Sequence, residues 1–66
     1  MSAGSIPTLE LLTIPEVADL LRVSVPTVRR LQEQRRIPFT KIGGSVRFIR
    51  GDVVAYVQQE RVESIG

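Results

Sequence analysis

Two helix-start signals stand close together in the first half of the chain. Residues 13–16, TIPE, are typical of a capping box, in which a threonine caps the helix and a glutamate three residues later reaches back to it. Ser24 followed by Pro26 predicts a second start, because proline is accepted in the first helical turn. Only Arg22 and Val23 lie between the two predicted helices. Helices joined so tightly are expected to cross steeply, as in a helix-turn-helix.

The spacing of apolar residues gives these helices their expected extents. The first is predicted over about residues 14–21 and the second over about residues 24–36. The second has a narrow apolar stripe, and its opposite side presents Pro26, Arg29, Arg30 and Glu33. Ile37-Pro38 is expected to end it, because the residue before a proline avoids helical geometry.

A hairpin and a last helix are predicted after the proline. Residues 39–42 and 46–49 are rich in β-forming side chains and flank a Gly43-Gly44-Ser45 tip. Residues 50–52 are expected to open a helix that ends near Arg61. The expected core consists of Val17, Leu20, Leu21, Val23, Val28, Leu31, Phe48, Val53 and Val57, with Val54 on the apolar side of the last helix and Phe39 and Tyr56 in the core or at its rim.

These elements predict an α+β fold that is mostly helical: a small winged helix-turn-helix with two short helices, a β-hairpin wing and a C-terminal helix. Residues 12–61 would form this domain. Residues 1–11 are expected to be a loose N-terminal arm, with Leu9, Leu11 and Leu12 resting on the domain, and residues 62–66 a frayed tail.

Composition excludes several classes of function. At 66 residues the chain forms one small domain. It has no cysteine and no histidine, and its carboxylates are scattered singly, so we expect no enzyme, no metal site and no cofactor. No apolar run approaches the ~20 residues of a membrane span, which favours a cytoplasmic, nucleoid-associated protein of a bacterial or phage-infected cell.

The basic charge is concentrated in the middle of the chain. Residues 22–50 carry eight basic side chains and one acidic side chain, Glu33. Seven of the eight are arginine, whose planar fork of donors suits phosphates and guanine edges. This excess indicates duplex DNA as a partner. For Arg35, Arg36 and Arg50, a phosphate contact stays open beside two other possibilities, solvation and pairing with Asp19, Glu33 or Asp52.

An α-helix fits the major groove of DNA, and residues near its N-terminus reach the base edges. The second helix has suitable chemistry, since its free amides and the Ser24 hydroxyl could bind a phosphate. The hairpin would lie along the backbone or over a minor groove. The candidate DNA-binding residues are Arg22, Ser24, Pro26, Thr27, Arg29, Arg30, Lys41, Gly43, Gly44, Ser45 and Arg47.

Residues 12–57 resemble the excisionase-like, MerR-type winged helix-turn-helix family. The shared pattern is L-T-x-x-E-V-A-x-L-L, V-S-x-x-T-V-R-R, I-P, I-G, R-F and D-V-x-x-Y-V. The resemblance implies DNA contacts at Ser24, Thr27, Arg29 and Arg30 and on the wing from Gly43 to Arg47. It also implies a small excisionase, or recombination directionality factor, that binds attachment-site DNA and directs an integrase toward excision. We expect the protein to be monomeric or weakly self-associating.

The chain departs from the family pattern in two places. Arg22 stands where the family usually has a glycine, and Val46 where the wing commonly has an aromatic residue. A non-glycine residue at the first position would meet a left-handed backbone geometry. Two other functions stay open: a small transcriptional regulator with the same module, and a protein-interaction domain that has lost DNA binding.

Overall fold

The computed structural model describes residues 9–62. The order of elements is β1 (Leu11–Leu12), α1 (Ile14–Leu21), α2 (Val25–Glu33), β2 (Thr40–Ile42), β3 (Ser45–Ile49) and α3 (Arg50–Gln59). This is the predicted α+β arrangement of helix-turn-helix, hairpin wing and last helix, and it confirms the fold class. Most of the predicted arm, up to residue 8, and the tail from residue 63 lie outside the described residues.

Local hydrogen bonds explain where α1 and α2 begin. Thr13 Oγ1 accepts from the Glu16 amide at 3.3 Å, and Glu16 Oε1 accepts from the Thr13 amide at 2.8 Å, which completes the predicted capping box. Ser24 Oγ likewise accepts from the Thr27 amide at 3.3 Å. Each cap satisfies an amide that has no partner inside its own helix.

The helix ends differ from the prediction. The second helix was expected to continue to residue 36, but α2 ends at Glu33, and α3 ends at Gln59 rather than near Arg61. Arg35 turns left-handed, with φ 56°, so the helix stops before Pro38 can act. The amide of Arg35 donates to Gln32 O at 3.0 Å and that of Arg36 to Leu31 O at 2.9 Å. These two bonds form a Schellman motif, which closes a helix by pairing its last carbonyls.

A three-stranded antiparallel sheet holds the wing, with strand order β1-β3-β2. Leu11 pairs with Ile49 and Leu12 with Phe48, a third strand that was not predicted. The strand therefore brings Leu11, which had been placed in the loose arm, into the sheet. Gly43 and Gly44 form the whole turn, so Ser45, expected at the tip, is the first residue of β3.

The core is formed where α1, α2, β3 and α3 meet. Phe48, Ile37, Val17, Val28 and Val53 are fully buried, and Leu12 and Ala18 complete the cluster. Leu21, Leu31, Phe39 and Tyr56 are partly buried against it, as predicted for the core or its rim. Ile37, expected only to end a helix, is instead a core residue at 1% exposure.

Three residues expected in the core are not buried. Leu20, Val23 and Val57 are 38%, 40% and 46% exposed. They line an open, largely apolar groove of about 810 Å³ bounded by the end of α1, by α2 and by α3. Helical spacing identifies the apolar side of a helix, but three short helices do not cover each other's whole apolar sides. Within residues 9–62, no helix has the length and apolarity that crossing a membrane requires.

Candidate nucleic-acid interface

The turn between α1 and α2 is built from three residues with different roles. Arg22 has the left-handed conformation, φ 60° and ψ 41°, and its amide donates to Asp19 O at 3.2 Å. The Val23 amide donates to Ala18 O at 3.0 Å, which closes α1. Ser24 then returns to extended geometry and caps α2. These bonds fix the orientation of α2 relative to α1. The left-handed geometry costs an arginine roughly 1–2 kcal/mol relative to glycine.

The side chains of α2 divide into a buried and an exposed side. Val28 is fully buried, whereas Arg29 and Arg30 are exposed. At 100° per residue, Pro26, Arg30 and Glu33 share the side opposite Val28, and Arg29 lies beside them. The predicted basic outer side is therefore present, and it also includes one carboxylate.

Two of the candidate residues on α2 contact each other. Ser24 Oγ and Thr27 Oγ1 are 2.9 Å apart, and Thr27 is half-buried beside the apolar groove. Thr27 is thus less accessible than its position in the first turn suggested, while Ser24 is exposed. Pro26 has no amide hydrogen and the Thr27 amide is already capped. At the start of α2, the amides of Ser24 and Val25 make no hydrogen bond to any described residue. These two amides are therefore the ones with which this end of the helix could bind an anion.

The wing presents its basic residues on two faces. Lys41 is paired with Val46, and Thr40 with Arg47. Because paired residues in antiparallel strands point to the same side and successive residues alternate, Lys41 and Arg47 lie on opposite faces of the hairpin. Lys41 is exposed. Arg47 is half-buried, and its guanidinium donates to Val46 O at 2.8 Å.

The wing turn needs both of its glycines. Gly43 and Gly44 have φ values of 56° and 86°. Two consecutive positive φ values are those of a type I′ hairpin turn, which glycine adopts without steric cost. A Cβ at either position would meet no heavy atom within 4 Å, so the constraint is the backbone conformation and not crowding.

The exposed positive charge lies mainly on α2, at its ends and on the wing. In residues 9–62 the one close ion pair found is between Arg50 Nη1 and Glu10 Oε2 at 3.7 Å. The sequence did not indicate Glu10 as a partner of Arg50; the pairing of β1 with β3 brings the two residues together. The Arg50 amide also donates to Glu10 O at 2.9 Å. The arginines of α2 and its flanks have no acidic partner among the described residues.

Arg35, for which the sequence left a phosphate contact, solvation or an acidic partner open, also lies on this exposed surface. A helix expected to run through residue 36 would have placed Arg35 on the apolar meridian with Val28. The left-handed turn instead leaves it exposed just beyond the end of α2. No residue type at this position signals such a turn, because glycine is absent from residues 34–36.

The described part of the chain also contains no group of acidic side chains placed to bind a metal ion.

A short helix, a tight turn, an exposed basic helix and a hairpin wing together define a winged helix-turn-helix domain, a class whose second helix reads the major groove. The family model for "Helix-turn-helix domain" matches residues 11–61, and the chain belongs to this excisionase-like family. The family implies DNA binding. This match confirms the resemblance found in the sequence.

The similarity to one curated relative covers most of this chain but a smaller part of the relative. The chain is 46% identical over 50 residues to the Mycobacterium tuberculosis protein named "Putative antitoxin VapB50". The aligned part is 76% of this chain and 38% of that protein, so the chain spans well under half of the relative's length. No solved structure gave a significant match.

Proposed function

We propose that the chain is a sequence-specific, non-enzymatic binder of duplex DNA that acts as a transcriptional regulator. The observation that carries the proposal is the exposed side of α2, where Arg29 and Arg30 have no acidic partner in the described structure. A guanidinium without an internal partner keeps all of its donors for guanine edges or phosphates.

The proposed orientation places α2 in the major groove with the exposed side of its first two turns facing the bases. Arg29 and Arg30 contact base edges or the adjacent backbone, and the free amides of Ser24 and Val25 face a phosphate with the support of the helix dipole. Pro26 packs against the backbone or the sugar edge. Thr27 supports the Ser24 hydroxyl, since the two side chains are 2.9 Å apart.

The wing is proposed to enter the neighbouring minor groove edge-on. Lys41 and Arg47 lie on opposite faces of the hairpin, so each can approach a different strand of the duplex. The exposed turn of Gly43 and Gly44, with Ser45 beside it, has no large side chain. A tip this small fits a groove of about 6 Å in width without forcing it open.

The relative favours the role of regulator. The relative that is 46% identical to this chain over 50 residues is named "Putative antitoxin VapB50". We infer that this chain supplies the DNA-binding part of an antitoxin-like regulator. The second candidate is an excisionase, favoured by the family match; contact with an integrase and self-association on attachment-site DNA belong to that candidate.

The test is selection of binding sites from a random duplex library, followed by fluorescence anisotropy on the selected duplex. With four to six phosphate contacts, log affinity should fall against log salt with a slope of about −4 to −5. Selected sequences within promoter regions support the regulator, and sequences within an attachment site support the excisionase. The absence of salt-dependent binding to any duplex at micromolar concentration refutes both.

Arg30→Ala separates base reading from phosphate binding. If Arg30 contacts a base, the variant loses about 1–3 kcal/mol on the selected duplex and much less on an unrelated one. An equal loss on both duplexes assigns Arg30 to the backbone. Arg50→Gln is the matched control, because it removes one positive charge that Glu10 already neutralises in the structure.

A further inference from the structure

Four described residues have the left-handed backbone conformation. Two are Gly43 and Gly44 in the wing turn, and the other two are Arg22, φ 60°, and Arg35, φ 56°. Every residue except glycine loses free energy in this conformation, because its Cβ approaches the neighbouring carbonyl. The chain thus has glycine where the wing needs positive φ and arginine at the two positions that flank α2.

Neither arginine side chain is needed to form its turn. At both positions the turn is closed by backbone amides donating to the last carbonyls of a helix: Arg22 to Asp19 O at 3.2 Å, and Arg35 to Gln32 O at 3.0 Å. Glycine would make the same backbone bonds with less strain. Because the arginine side chain is not needed for the turn, the strain at these positions indicates that the side chain has a function elsewhere.

Both side chains are available to a ligand. Arg22 and Arg35 are exposed, and neither has a hydrogen bond or ion pair from its guanidinium within residues 9–62. One lies just before α2 and the other just after it. A nine-residue helix is about 13 Å long, which is close to the roughly 12 Å width of the major groove.

We propose that Arg22 and Arg35 are a pair of phosphate-binding residues that hold α2 at its two ends, one on each backbone bordering the groove. Such contacts position the helix and carry no sequence information themselves. This inference rests on the proposed function, and it adds Arg35 to the interface together with a division of labour: the ends of α2 bind phosphates, and its exposed side reads bases.

The experiment compares Arg22→Gly, Arg35→Gly and the double variant with the unaltered chain. Each single variant should keep or raise its urea midpoint, with a folded-to-unfolded ratio up to about 30-fold higher, because strain is removed. Each should also reduce the salt slope by about 0.9 and weaken binding by close to tenfold at 0.1 M salt. The losses should be equal on selected and unrelated duplexes. The double variant should lose about twice as much slope.

Two further sets of variants make the result decisive. Arg22→Asn and Arg35→Asn remove the same charge with a residue that tolerates the left-handed conformation, so they should repeat the loss of slope. Arg50→Gln lowers the net charge equally and should leave the slope nearly unchanged. Equal loss of slope in Arg50→Gln would assign the effect to net charge and overturn the inference.

The failure of this inference is distinguishable from failure of the proposed function. If the unaltered chain binds duplex DNA and Arg30→Ala weakens it, but the glycine and asparagine variants keep the full salt slope, only the pairing of Arg22 with Arg35 is wrong. If the unaltered chain shows no salt-dependent binding, the proposed function fails and takes this inference with it.

Discussion

Replacing the cap of α2 tests the connection between local structure and DNA binding. Ser24→Ala removes the acceptor of the Thr27 amide, bonded at 3.3 Å, and the hydroxyl contact with Thr27 at 2.9 Å. Loss of an N-cap costs about 1 kcal/mol, within a range of 0.5–2. A domain of 66 residues has a total stability of about 3–10 kcal/mol, so the variant should remain folded.

The expected shift in melting temperature follows from the same figure. For a domain this small, about 1 kcal/mol corresponds to 4–8 °C. Thr13→Ala is the matched control, since Thr13 caps α1 and its amide bond to Glu16 Oε1, 2.8 Å, survives the change. It should cost the same or slightly less. Thermal unfolding followed by circular dichroism measures both variants.

DNA binding then separates the two caps. We expect Thr13→Ala to leave affinity for the selected duplex unchanged at temperatures where the variant is folded, and Ser24→Ala to weaken it. Ser24→Gly is the informative third variant, because glycine loses only a few tenths of a kcal/mol as a cap but has no hydroxyl. A melting temperature within 1 °C of the original for Ser24→Ala would refute the capping argument. If Ser24→Gly keeps full affinity for the selected duplex, the Ser24 hydroxyl is not part of the DNA interface.

Three other changes have definite expected outcomes. Phe48→Ala should cost about 3–5 kcal/mol, a third or more of the domain's stability, and lower its urea midpoint in circular dichroism, whereas Val54→Ala, at a residue 44% exposed, should unfold nearly as the original. Equal stability of the two variants would contradict the assigned core. Glu33→Gln should raise affinity for any duplex in anisotropy assays because it removes a carboxylate beside Arg30, while Glu60→Gln, just after α3, should change little. Equal affinities of the two variants would mean that the DNA does not bind at the exposed side of α2. Gly44→Ala should lower stability by about 1 kcal/mol in urea titration, since φ is 86° there, and an unchanged midpoint would argue against the type I′ turn.

Much of the fold could be predicted because its determinants are local. The capping box at Thr13 and the cap at Ser24 each join residues three apart, so the sequence contains the whole interaction. The same is true of the wing turn, where two consecutive glycines allow the positive φ values of a tight hairpin. The position of the basic helix followed from these signals.

The candidate site was only partly predictable. The exposed positions of Arg29 and Arg30 followed from helical spacing once the start of α2 was known. Helical spacing did not predict the positions of Thr27 and Arg35. Thr27 turns toward Ser24 and the groove, and Arg35 lies beyond the end of α2, which comes earlier than predicted. The groove beside Thr27 is formed together with α1 and α3, which spacing along one helix does not describe, and the turn at Arg35 has no glycine to signal it.

The sequence by itself determined the starts of the helices, the hairpin turn and the concentration of positive charge, because each depends on residues a few positions apart. The tertiary structure alone decided that Leu11–Leu12 is a strand, since a two-residue strand exists only through its pairing with Ile49 and Phe48. It also decided which apolar side chains are covered, leaving Leu20 and Val57 in an open groove. The register of β2 and β3 placed Lys41 and Arg47 on opposite faces, because one step of register moves a side chain to the other side of a sheet.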